Sequence, residues 1–188
     1  MDRALVERAR RDGPSGADTR DRDAFDALVR SRVDAVYRTC LAILGEPADA
    51  ADATQETFVS AWCHRDALRD PDLFDAWLWR ISLNACRAQL RRRGRTRVRE
   101  IRLPDPLDDR EPASPERSLA DRTADSDAFD RAFGSLSVDD RAVLVLHHLQ
   151  NRPVSEIAGA LGAPEGTIKS RLHRARAALE SALAKESR

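Results

Sequence analysis

The sequence predicts an all-α protein: two small helical domains joined by a flexible, acidic, proline-containing linker, the second domain carrying a helix-turn-helix. Three observations lead there. Apolar residues recur at three- and four-residue spacing in both halves of the 188-residue chain, the period of helices with a buried face. No stretch alternates apolar and polar residues with the two-residue period of a strand. Between the halves, residues 98–125 contain Pro104, Pro106, Pro112 and Pro115 and show no helical period before Leu119.

Residues 1–23 read as a polar N-terminal extension to which no role is assigned, and residues 24–97 as the first domain. Its first helix carries Phe25, Leu28, Val29, Val33, Val36, Tyr37, Cys40, Leu41 and Leu44 on one stripe, and Gly45 with Pro47 closes it. A second helix starts near Pro47, placing Ala51, Gln55, Phe58 and Trp62 on one side and Asp49, Asp52 and Glu56 on another. The third spans residues 72–93 with two apolar stripes, Phe74, Trp77, Leu78, Ile81, Ala85, Ala88 and Trp79, Leu83, Cys86, Leu90, so contacts are expected on both sides. At helical spacing Trp77 and Trp79 read as core. Between the stripes Arg80, Asn84, Arg87 and Arg91 project in one direction. Residues 87–99 hold seven arginines and no acidic residue to neutralise them, the densest positive segment of the chain.

In the second domain, residues 126–188, Phe129, Phe133 and Leu136 mark a short helix. Ser137 with Asp140 forms a capping box that opens the run 142–149. Ile157, Ala158 and Leu161 mark the next helix, Leu161-Gly162-Ala163-Pro164 the turn, and Ile168, Leu172, Ala175 and Leu179 the buried stripe of the last. This is the spacing of a helix-turn-helix. At about 100 degrees per residue, the outward arc of the last helix holds Gly166, Ser170, His173, Arg174 and Ala177, flanked by Lys169 and Arg176. Short residues there permit close approach to a major groove, and Arg174 and Lys169 offer donors to guanine edges or phosphates. The plainer alternative is a solvated surface helix.

Charge balances at 32 basic against 32 acidic residues, a total that suggests neither nucleic acid nor an acidic tail. It is segregated: 19 basic and 16 acidic residues in 1–99, 4 and 8 in 100–125, 9 and 8 in 126–188. Only Lys169 and Lys185 are lysines, so arginine richness reads as coding bias rather than selection for guanidinium. Cys40, Cys63 and Cys86 form no metal-ligand pair and read as small buried residues. His147 and His148 have no ligand partners in view. No metal, cofactor or catalytic constellation is expected. The charged start lacks a signal-peptide core and no apolar run approaches a membrane span, so a cytoplasmic protein without membrane insertion is expected. Nor is an added domain expected after Arg188, so a regulator is expected to act on the two domains or their linker.

Val154-Ser155-Glu156-Ile157-Ala158 and Gly166-Thr167-Ile168-Lys169-Ser170-Arg171-Leu172-His173-Arg174-Ala175-Arg176 resemble the promoter-reading helix-turn-helix of extracytoplasmic-function (ECF) sigma factors, small specificity subunits of bacterial RNA polymerase. Asp49-Ala50-Ala51-Asp52-Ala53-Thr54-Gln55-Glu56-Thr57-Phe58 and Trp77-Leu78-Trp79-Arg80-Ile81-Ser82-Leu83-Asn84-Ala85-Cys86 resemble that family's other domain. The likeness covers residues 24–93 and 129–183; residues 11–23 look longer than the family's link into its first helix.

The resemblance implies roles, residue by residue. Asp49, Asp52, Gln55, Glu56 and Phe58 would dock on the clamp helices of core polymerase, which also offers its flap. Arg80, Asn84, Arg87, Arg91, Arg92 and Arg93 would hold minus-10 DNA, with Asn84 in the pocket for a flipped base and residues 65–74 setting base preference. Thr167, Lys169, Ser170, Arg171, His173, Arg174 and Arg176 would contact the minus-35 duplex. It also implies an anti-sigma factor as partner. The rival readings are a free-standing helix-turn-helix regulator that ignores polymerase and, weakest, an enzyme.

Overall fold

The computed structural model describes residues 3–9, 19–102 and 124–186. Of the expected linker, residues 98–125, residues 103–123 lie outside the described residues, while 98–102 continue a helix of the first domain and 124–125 begin one of the second. The described chain is helical: α1 (Arg3–Ala9), α2 (Thr19–Leu44), α3 (Pro47–Cys63), α4 (Phe74–Arg102), α5 (Ala124–Gly134), α6 (Val138–Leu144), α7 (Val154–Leu161) and α8 (Glu165–Glu186).

Gly45 ends α2 in the left-handed region at φ 74, its N–H donating to the Leu41 carbonyl at 2.8 Å. Pro47 then opens α3, where a missing N–H costs nothing. The face that α3 buries is not the one expected. Ala51 and Gln55 are exposed, and the buried positions are Ala50, Ala53, Thr54, Thr57 and Ala61. Small side chains let α3 approach its neighbours closely, and the Thr54 and Thr57 hydroxyls donate to the Ala50 and Ala53 carbonyls at 2.7 and 2.6 Å, so neither is buried unpaired. A pattern search that follows large residues misses such a face.

Helix α2 starts at Thr19, ahead of the first stripe residue Phe25, because its first turns are polar and leave no apolar signature. Helix α4 runs to Arg102, past the expected helix end at residue 93 and domain end at 97; arginine is a good helix former and no proline intervenes before Pro104. Its two stripes are both buried, Leu78, Leu83 and Cys86 among the core residues and Trp77 and Trp79 with them. Two apolar faces need two partners: α2 and α3 pack on one side of α4 and α7 on the other. Gly159 of α7 makes that second contact close, since a Cβ there would sit 3.4 Å from Ala76 Cβ. The N-terminal extension is not wholly without structure either, since α1 packs on α2 with Val6 in the core.

In the second domain Ser137 caps α6, its Oγ accepting from Asp140 N–H at 3.1 Å. The run expected over 142–149 divides: α6 passes into a wider π turn, Val145–Leu149, with Gln150 N–H reaching the Val145 carbonyl at 3.1 Å. Helices α7 and α8 follow, with Ile157, Ile168, Leu172 and Ala175 buried between them and α6. Burying Ile157, Ile168 or Leu172 contributes about 1.5–3 kcal/mol each.

The two domains pack on each other. Arg141 of α6 is 9% exposed and donates through Nη1 to the Ile43 carbonyl of α2. Gln150 Nε2 donates to the Ala35 carbonyl at 3.4 Å, and Asp75 at the start of α4 pairs with both Arg32 (3.0 Å) and Arg152 (3.3 Å). Of the cysteines, Cys40 and Cys86 are buried as expected, whereas Cys63 is exposed because it is the last residue of α3.

Candidate nucleic-acid interface

The second helix of the helix-turn-helix owes its orientation to Gly162. That residue caps α7 in the left-handed conformation at φ 63, and its place allows Ala163 N–H to bond the Ala158 carbonyl at 3.1 Å. With Ile168, Leu172 and Ala175 buried, α8 turns Thr167, Lys169, Ser170, His173, Arg174 and Arg176 to the exposed side. Ser170 Oγ donates to the Thr167 carbonyl at 3.0 Å. Arg176 donates to His148 Nε2 at 3.2 Å, which requires that nitrogen unprotonated. Partial burial, then the Arg176 guanidinium and His147, hold His148 below the usual imidazole range. Arg171 differs: it is half-buried, its Nη1 donating to Asp139 Oδ2 at 3.0 Å.

On α4, Arg80, Asn84 and Arg91 are exposed. Asn84 Oδ1 accepts from Arg87 Nη1 at 2.9 Å, while Arg87 Nε and Nη2 donate to Asp139 Oδ1 at 3.1 and 2.7 Å. One carboxylate therefore ties an arginine from each candidate DNA-binding helix. The remaining arginines meet the acidic face of α3: Arg93 pairs with Asp49 at 3.4 Å and Arg92 with Glu56 at 3.3 Å. The segment that reads as lacking acidic neighbours along the sequence has them in space. Asp52 and Gln55 are exposed, and Phe58 is partly buried against the core. The side chains of Arg97 and Arg99 lie outside the described residues.

Residues 65–74 link α3 to α4 through two short 3₁₀ turns, Arg65–Ala67 and Pro71–Leu73. Asp70 Oδ1 accepts from Asp72 N–H at 3.0 Å, and Leu73 is 58% exposed, an apolar side chain presented to solvent. Asp139, Arg141, Arg152 and Asp75 were not legible as partners. Arg141 alone carried a signal, a charge set among Val138, Ala142, Leu144 and Val145 on an apolar face.

The family model for sigma-70 region 2 matches residues 28–96, and that for sigma-70 region 4 matches residues 126–179. The chain is 36% identical to the RNA polymerase sigma-E factor of Streptomyces avermitilis, over 85% of its own length and 84% of the relative's. It is equally 36% identical to the ECF RNA polymerase sigma factor SigM of Mycobacterium tuberculosis, over 85% of this chain and 76% of that one. The chain belongs to the ECF sigma factors of bacterial RNA polymerase.

To SigE of Mycolicibacterium smegmatis this ECF sigma factor is 38% identical, spanning 63% of that protein's length. Two solved structures share its fold: CnrH in complex with the cytosolic domain of CnrY (TM-score 0.66, 29% identity, 98% of this chain and 97% of that one), and RpoE of Bartonella quintana with the anti-sigma factor NepR (0.65, 26%, 85% and 96%). Among the described residues of this ECF sigma factor, no helix is long and apolar enough to cross a membrane.

Proposed function

We propose that this ECF sigma factor directs promoter-specific initiation without a catalytic centre of its own: α3 docks on the clamp helices of core polymerase, α4 with residues 65–74 opens and reads minus-10 DNA, and α8 reads the minus-35 duplex. The observation that carries the reading is the exposed row Thr167, Lys169, Ser170, His173 and Arg174, set opposite a buried row and presented by a glycine-capped turn. That edge fits a major groove, where an arginine pairs bidentately with guanine. On α4, extruding a base costs a few kcal/mol, which exposed Arg80, Asn84 and Arg91 would help recover through base and phosphate contacts.

The arrangement sets a condition on that role. Arg87 and Arg171 are engaged by Asp139, and Arg92 and Arg93 by Glu56 and Asp49, so phosphates and polymerase must replace carboxylates as partners. Such internal pairing weakens the free subunit's attraction to nonspecific DNA, which depends on unneutralised cations. An anti-sigma factor would find a surface between the domains. A groove of about 1210 Å³ lies between the end of α2 and the α5 to α6 region, with exposed Phe129 and Leu149 at it. Its apolar lining suits an amphipathic helix, and protein partners of CnrH and RpoE are seen in the solved complexes.

Run-off transcription with holoenzyme reconstituted from cognate core polymerase tests the reading. Defined start sites with shared minus-35 and minus-10 elements are expected; binding of operator duplex with no polymerase-dependent initiation would leave a free-standing regulator instead. In the same assay Arg174→Ala should weaken the minus-35 contact by about 1–3 kcal/mol and relax its base preference.

A further inference from the structure

Helix α1 lies outside the residues matched by the family models, and it carries none of the residues assigned to polymerase or promoter binding. Seven residues are too few to hold a helix in water unaided, so its docking is what keeps it. Val6, 1% exposed, lines a void of only about 10 Å³ together with Phe25, Leu28, Arg65, Leu68, Phe74 and Trp77. Two of those neighbours, Leu68 and Phe74, are buried anchors of the 65–74 loop, on either side of its Pro71–Leu73 turn. A third tie reaches the turn itself. Arg3 Nη1 donates to Asp72 Oδ2 at 2.9 Å, and the Asp72 backbone is in turn fixed on Asp70. Because Arg3 and Asp72 are both exposed, that pair adds little alone; the burial of Val6 holds the helix down.

We propose that α1 is a brace for the 65–74 loop, with Val6 as its positioning residue, and that the brace sharpens base discrimination at the minus-10 element. The proposal rests on the reading above of that loop as the segment that sets base preference. A loop pinned at Leu68, Asp72 and Phe74 presents Leu73 and Asp70 in few conformations, and a preorganised site rejects the wrong partner that a loose one adapts to. α1 thus acts through the loop and touches no DNA in this scheme.

Val6→Asp in the full chain is the test, with Val6→Ala expected to fall between it and wild type. Amide hydrogen exchange of the free protein should quicken about tenfold or more across residues 68–74 while α8 is unaffected. No change there, or a uniform rise over the whole chain, overturns the brace. Reconstituted holoenzyme is then assayed by run-off transcription on all single-base variants of the minus-10 element. The ratio between best and worst base should fall about tenfold, with core binding and minus-35 duplex binding as in wild type. A loosened loop with an unchanged ratio overturns the link to specificity. If wild-type holoenzyme starts no transcript, the sigma-factor scheme has failed rather than the brace, which the exchange measurement decides separately.

Discussion

Arg141 occupies a position where an apolar side chain would be expected, and burial lowers its pKa. Its placement has a physical reason. Ile43 lies in the last turn of α2, where carbonyls lack intrahelical partners and the helix dipole favours a cation. The cysteines separate by environment in the same way. Hydrogen bonding to Cys40 and burial push the Cys86 thiol up, so little thiolate forms there, while Cys63 is exposed. Titration of the native protein with a thiol reagent should label one cysteine quickly, Cys63, and the other two only on unfolding; three fast equivalents would contradict the packing of α2 against α4. For His148 the depressed pKa makes protonation costly to the folded state. Its contribution is therefore intact above the ordinary imidazole value of 6.5 and is lost as acidification carries it through the lowered one. Between about pH 7 and 5, across the ordinary imidazole range, the melting temperature of His148→Gln should fall less than that of wild type.

Among elements, helix ends marked by a capping residue, glycine or proline were legible, whereas the polar start of α2 and the arginine-rich end of α4 were not. Gly45 with Pro47, Ser137 with Asp140, and Gly162 each announced a boundary through local backbone chemistry, and each boundary stands where that chemistry puts it. Faces depend on neighbours. Helical spacing grouped Ala51 and Gln55 with Phe58 and Trp62 on one side of α3, whereas close packing buried Ala50, Ala53, Thr57 and Ala61. The left-handed cap at Gly162 also sets how α8 is presented. Gly162→Ala should cost about 1 kcal/mol in denaturant unfolding and weaken minus-35 duplex binding; full stability with normal binding would show that the turn tolerates a side chain.

For the whole molecule, Asp139 is the point at which the charge map closes. It gathers Arg87 of the first domain and Arg171 of the second, alongside the Asp75 to Arg152 pair and the Arg141 contact across the same interface. Asp139→Ala should loosen the domains, seen as a larger radius of gyration by small-angle scattering with helix content unchanged; an identical profile would mean that apolar packing of α4 on α7 suffices. The balanced total charge, which considered alone argued against nucleic acid, is thus a pairing of opposed faces. Periodicity and capping residues were enough to specify a helical chain and its helix-turn-helix, because those signals are local. They were silent on which arginine meets which carboxylate, on the small-residue face of α3 and on α1 as a support for a distant loop. Those depend on residues as far apart as Arg3 and Asp72 or Arg87 and Asp139 being brought together, and contact across such separations is a property of packing, with no periodic trace along the chain.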